Sequence, residues 1–216
     1  MKTKKINIKK WHYATFCVLI LLFLALQMQE NKKQHIIPES ITHEALTALS
    51  YYPELKNTAI EFKFKEHIDK SIMQAQPDFL SLFKSKSNRK YKILISRTFE
   101  IEGKKFSTEN IPENVMIGWL GHELGHIMDY RDRSSLNLIW FGARYFFSDN
   151  AIKTAERAAD TYAVDKNMDA YILETKNFIL NNTDLSDSYK NRIKKYYLSP
   201  DEIMILVEKR DQSKNN

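Results

Sequence analysis

The stretch Gly118-Trp119-Leu120-Gly121-His122-Glu123-Leu124-Gly125-His126 decides how the rest of the chain is read. It predicts a helix. Positions four apart on a helix share a face, about one turn from each other, so His122 and His126 present two imidazoles to one point. Glu123 projects beside them. Two nitrogen donors, an adjacent carboxylate and an open position are what a catalytic divalent metal requires. Three of the chain's five glycines (Gly118, Gly121 and Gly125) lie inside this helix. Each costs on the order of 1 kcal/mol against alanine in a helix interior. Their recurrence on one side predicts a flat strip against which another backbone packs closely.

No histidine follows His126, so a third protein ligand is expected to be a carboxylate. Asp129 lies three residues on, where a ligand on the same continuous helix is strained. Asp132 lies six residues on, at the spacing of the extended motif His-Glu-x-x-His-x-x-Gly-x-x-His/Asp, but Asp129 occupies the position where that motif turns on glycine. Glu156 is the preferred candidate. It sits in Ala155-Glu156-Arg157-Ala158-Ala159-Asp160, on a helix expected to be capped by Ser148 or Asp149 and to run to about Asp165. Glu156 and Asp160 share a face, and the small residues Ala159 and Ala163 accompany them. An alanine face opposite a glycine strip brings two helices close enough for a short side chain to reach the histidines.

His-Glu-x-x-His followed by Glu-x-x-Ala-Asp resembles the gluzincin metallopeptidases of the HtpX and CaaX-prenyl-protease type. The run Glu156-Arg157-Ala158-Ala159-Asp160-Thr161-Tyr162-Ala163-Val164 looks like the third-ligand helix of that group. The resemblance covers roughly residues 90 to 170. It implies a zincin-like fold, one Zn2+ held by His122, His126 and Glu156, Glu123 as general base, and Asp160 orienting a ligand histidine. Two features depart from the group: a gap of about 30 residues between the motifs, and the lack of its additional membrane helices.

The expected fold class is α+β and mostly helical, with a small sheet before the metal helix. Tyr91 to Ser96 reads as a strand, and a second short strand is expected at Phe99 to Ile101 or Lys104 to Phe106. If the first of these is an edge strand, an extended peptide could pair with it. Asn110-Ile111-Pro112-Glu113 reads as a helix start. Residues 39 to 83 read as two or three helical segments, with Ile60, Phe64, Ile68 and Ile72 on one face. His43 and His67 lie there without partners at ligand spacing and are read as surface or core residues. Leu136 to Phe147 is strongly apolar but too short to span a bilayer. A core helix is the default reading, and a membrane-dipping or substrate-lining helix the alternative. Ser199-Pro200-Asp201-Glu202 is a capping box opening a last helix to about Lys209.

The first ten residues hold five lysines and no acid, ahead of an apolar run from Ala14 to Leu26. This predicts an N-terminal signal anchor over residues 1–30, single-pass, with the domain outside the cytoplasm; a signal cleaved to release a secreted or periplasmic protein is the alternative. Residues 31–40 read as a linker, 41–210 as the metallopeptidase domain, and 211–216 as a disordered tail. From residue 31 onward there are 28 basic and 26 acidic residues, a balance that argues against a nucleic-acid partner. The single cysteine, Cys17, excludes a disulfide framework and a cysteine-based zinc site.

Two functions compete. The first is a membrane-anchored zinc metalloendopeptidase acting on peptide or protein substrates, with Glu123 taking a proton from the attacking water. Its oxyanion partner is expected among Tyr162, Tyr189, Arg192 and Tyr196. The second is a catalytically silent relative that binds or regulates at the membrane.

Overall fold

A computed structural model of the chain describes residues 35–68, 71–101, 104–181, 185 and 187–214. The expected signal anchor and the first part of the linker lie outside the described residues. Among the described residues no helix is long and apolar enough to cross a membrane.

The architecture is α+β and mostly helical. After a short 3-10 turn at Glu39–Ile41, helix α1 spans Thr42–Ser50. A small sheet follows, made of β1 (Ala59–Lys65), β2 (Met73–Pro77) and β3 (Lys90–Ser96) in the order β1-β3-β2. β1 runs parallel to β3, with Ile60 opposite Tyr91 and Phe62 opposite Ile93. β2 runs antiparallel to β3, with Ala75 opposite Ile93. All five of these side chains are buried.

These strands correct the helical reading of residues 39 to 83, which holds only for α1. Four-residue spacing of Ile60, Phe64, Ile68 and Ile72 mimics a helical face. The run Ala59-Ile60-Glu61-Phe62-Lys63-Phe64-Lys65 also alternates with period two, and pairing with β3 selects that period. One residue of the stretch read as a linker joins the sheet. Ile36 donates to the Ile60 carbonyl at 3.0 Å and accepts from the Phe62 amide at 2.8 Å, so residue 36 pairs with the outer edge of β1.

β3 is therefore the central strand and not an edge. Beyond it, β4 (Thr98–Ile101) and β5 (Lys104–Ser107) form an antiparallel hairpin, so both alternative positions for a second strand are used. Asn110 ends a 3-10 turn, and α2 (Glu113–Asp132) begins two residues later than read, with Pro112 before it and no side-chain cap.

α2 is the axis of the molecule, buried almost continuously from Val115 to Ile127. Its far side packs on α4 (Asp149–Asp165) and α5 (Asp169–Asn181), and its near side on α1 and β2. Between α2 and α4 lies α3 (Ser135–Phe147); α6 (Asp187–Tyr196) and α7 (Pro200–Lys214) close the C-terminal side. Ser134 and Ser148 cap α3 and α4 by accepting the amides of Asn137 and Ala151. Ser199 and Glu202 form the expected capping box at α7, exchanging bonds of 3.2 and 2.9 Å.

α7 continues past Lys209 to Lys214, which corrects the disordered reading of residues 211 to 214. Its last turns are held down by Arg210, which bonds the Val164 carbonyl at 2.8 Å and the Asp169 carboxylate at 2.5 Å. Asn167, with φ 63°, ends α4 in the left-handed conformation and turns the chain into α5.

The glycine strip does what its spacing predicts. A Cβ on Gly125 would stand 2.5 Å from the Ala159 carbonyl oxygen of α4. One on Gly118 would stand 2.5 Å from the Tyr171 carbonyl oxygen of α5, and one on Gly121 would run into Met168. Two helices cross α2 at backbone contact because Gly118 and Gly125 have no side chain, and Gly121 leaves room for the Met168 side chain.

Candidate metal centre

The close crossing at Gly125 and Ala159 brings Glu156, one turn earlier on α4, onto the histidine face of α2. Glu156 Oε2 stands 3.0 Å from His122 Nε2 and 3.3 Å from His126 Nε2. The two imidazole rings are 4.8 Å apart and nearly perpendicular. One donor atom from each of the three residues lies within 4.8 Å of the others, and all three residues are buried. A four-coordinate ion bonded at about 2.0–2.1 Å separates its ligand atoms by about 3.3 Å, so the Glu156 oxygen already stands near that spacing from each histidine nitrogen. His126 Nδ1 is buried with no hydrogen-bond partner among the described residues. The group can hold a metal ion.

Asp160, one turn after Glu156, accepts from His122 Nδ1 at 2.8 Å. Because an ionised carboxylate only accepts, this bond keeps a hydrogen on Nδ1, so Nε2 is the nitrogen that a metal would take once its own proton has left. The second oxygen of Asp160 receives Lys176 Nζ from α5 at 2.8 Å and the Leu198 amide at 3.0 Å. Lys176 also stands over the Tyr197 ring, 4.3 Å from its centroid, and Tyr197 lies against the His122 ring at 5.3 Å. The chain Lys176–Asp160–His122 fixes one ligand from behind.

Glu123 faces the sheet. Its Oε2 accepts the Ala75 amide of β2 at 2.6 Å. Odd-numbered residues of β2 turn their amides away from β3, so this bond lies on the strand's free edge. Glu156 keeps its second oxygen on the Tyr145 hydroxyl of α3, at 2.5 Å. The donors are thus enclosed by Tyr145, Tyr197 and the edge of β2.

Charge explains the protonation pattern of the metal-free site. Burial pushes the His122 imidazolium down, but the hydrogen bonds and charges of Asp160 and then Glu156 outweigh it and raise its pKa to about 10. Burial pushes the Glu156 carboxyl up, yet the facing imidazoles hold it well below the usual carboxylate range. Asp160 is likewise held low against its burial, first by Lys176 and then by His122. Glu123 goes the other way: burial dominates and raises it, and the histidines only partly offset this.

His122, Glu123, His126, Glu156 and Asp160 are therefore brought together as the sequence expects. Asp129 is not part of the group; it pairs with Arg133 at 2.9 Å. Asp132 is exposed at the end of α2 and is not in the group either. Among the oxyanion candidates, Tyr196 bonds Asp149 at 2.7 Å and Arg192 lies over the Tyr196 ring. Tyr189 lines a small cavity beside His122 and Glu123, together with Met73, Trp119, Ile172 and Ile193. Sequence reasoning missed Tyr145, Lys176 and Tyr197. The first two lie on helices whose packing no local pattern encodes, and Tyr197 falls just past the end of α6. Comparison with family models, with curated proteins and with solved structures gave no match to this chain.

Proposed function

We propose that the chain is a zinc-dependent metalloendopeptidase of zincin-like build, tethered to a membrane by its N-terminal segment with the domain outside the cytoplasm. The observation that carries the reading is Glu123: a buried carboxylate next to three converging donors, bonded to none of them, with its pKa raised by burial. A site that only ties helices together needs no such base. His122, His126 and Glu156 would hold the ion, which fits two nitrogen donors and one carboxylate oxygen. When bound, Zn2+ supplies a Lewis acid and brings water ionisation to about pH 7.

The chain's own residues supply the rest. Lys176 and Asp160 keep His122 in the tautomer that donates through Nε2. Tyr145 occupies one oxygen of Glu156 and leaves the other for the ion. Glu123 accepts the proton of the attacking water and returns it to the departing amine nitrogen. The free edge of β2, whose Ala75 amide now bonds Glu123, lies where a peptide in extended form would run.

The enclosure of the donors by Tyr145 and Tyr197 favours a second reading, a silent metal-holding protein. One experiment separates them. Zinc content and peptide hydrolysis are measured for the wild type and for Glu123→Gln. For the enzyme, both proteins carry about one zinc and hydrolysis falls by about 10²–10⁴ in the variant. Zinc in both with hydrolysis in neither establishes the silent reading.

A further inference from the structure

Helix α3 contradicts the core reading of its sequence. Among its large side chains only Leu138 is fully buried, while Phe141 and Tyr145 lie half-buried on the same inward side. The opposite side carries Leu136, Ile139, Trp140, Phe146 and Phe147, all exposed; Trp140 is 65% and Phe147 91% accessible. At 100° per residue these five fall on one stripe. A second apolar element stands beside it. The 3-10 turn Phe79–Phe83 exposes Phe79, Leu80 and Phe83. It is stitched to the start of α3 by the Ser135 hydroxyl, which donates to the Leu82 carbonyl at 2.6 Å.

The charge around this surface is mainly positive: of the acids that flank it, Asp78 is paired with Lys92 and Asp149 with Lys195, and Asp132 is exposed at the end of α2. Residues 79–90 and 134–147 contain Lys84, Lys86, Arg89, Lys90 and Arg144 and no aspartate or glutamate. Lys84, Lys86, Lys90 and Arg144 are exposed. Large aromatic and aliphatic side chains beside an excess of cations are the composition of a helix lying in a lipid interface. A second copy of this chain would bring the same cations face to face, which opposes self-association.

We propose that α3 and the Phe79–Phe83 turn form an interfacial membrane-binding surface, with the apolar stripe in the acyl boundary and the lysines and Arg144 on anionic headgroups. This goes beyond the proposed peptidase and does not rest on it, since it concerns the outer side of α3 and not the metal donors.

The test uses the full chain in vesicles of phosphatidylcholine with anionic phosphatidylglycerol, made with ordinary or with acyl-brominated lipid. Emission of Trp140 is taken as the difference between wild type and Trp140→Phe. Brominated lipid is expected to lower that emission by roughly twofold, since quenching requires contact with the acyl chains. The quenching should vanish in Phe146→Ser/Phe147→Ser, while the melting temperature stays unchanged. Lys84→Gln and Arg144→Gln should each lower the docked-to-undocked ratio by about fivefold. Emission indifferent to brominated lipid overturns the proposal, and if Trp140 is then also shielded from soluble acrylamide, a protein covers the stripe instead. Quenching that ignores both charge substitutions removes the anionic lipid from the proposal.

Discussion

Two neighbouring helices, α2 and α3, invert the rule that polarity follows exposure. α2 buries two imidazoles and Glu123 in the middle of the molecule. α3 is the more apolar of the two in sequence and exposes five large hydrophobic side chains. The difference lies in what each helix has for partners. Every buried polar side chain of α2 except His126 Nδ1 finds a donor, an acceptor or an opposite charge on α4, α5 or β2, and burial of polar groups is tolerable on that condition alone. The outer side of α3 is left largely exposed, so its apolar residues are not buried. An element's composition tells how much it gains from burial; its neighbours decide whether burial happens.

The comparison can be broken most sharply at Lys176. Replacing it with methionine leaves His122 as the one cation bonded to the buried Asp160. Stability of the metal-free protein should fall by about 3–5 kcal/mol in denaturant titration, and metal affinity by about 10–100-fold. A stability close to wild type would show that His122 alone suffices to hold Asp160.

Next is Gly125→Ala. The new methyl stands 2.5 Å from a backbone oxygen that cannot rotate away, so separation of α2 from α4 should cost about 1–3 kcal/mol and weaken metal binding by displacing Glu156. A gain in melting temperature would contradict the close crossing.

The proton balance gives a smaller and graded effect. With its pKa raised to about 10, His122 of the metal-free protein carries a proton throughout the neutral range, and a metal must displace it. Metal affinity should therefore climb as pH rises, by about tenfold per unit while that pH stays below the His122 value. Titration calorimetry in buffers of different ionisation enthalpy should find about one proton released per ion bound near pH 7. Binding without proton release would mean that Glu156 and Asp160 do not hold His122 charged.

The smallest effect is on α3 itself. A Cβ on Gly142 meets nothing within 4 Å, so Gly142→Ala should stabilise by up to about 1 kcal/mol through helix propensity alone. The same change thus carries opposite signs at Gly125 and Gly142, readable in paired thermal melts.

Much of the site was legible because its signals are local. His122, Glu123 and His126 follow from helical spacing, and Glu156 and Asp160 from a second motif with an alanine face. The Ser148 cap and the Ser199–Glu202 box were read correctly because a cap bonds its own first turn. The strands at 59–65 and 73–77 were missed, since Ile60, Phe64, Ile68 and Ile72 satisfy a helical period as well as Phe62 and Phe64 satisfy a strand. Only pairing with β3 breaks that tie.

By itself the sequence put His122, Glu123 and His126 on one helix, offered Glu156 as the preferred carboxylate to join them, and set out the glycines that let a second helix approach, because each of these signals is a spacing within a short segment. The tertiary structure alone decided that Ala75 holds Glu123, that Tyr145 and Tyr197 enclose the donors, that Lys176 stands behind Asp160, and that α3 keeps its apolar side outward. Those facts join residues at least 11 positions apart along the chain or depend on which neighbours a surface has. Such pairings reward the chain only after the whole molecule has closed, so no local pattern carries them.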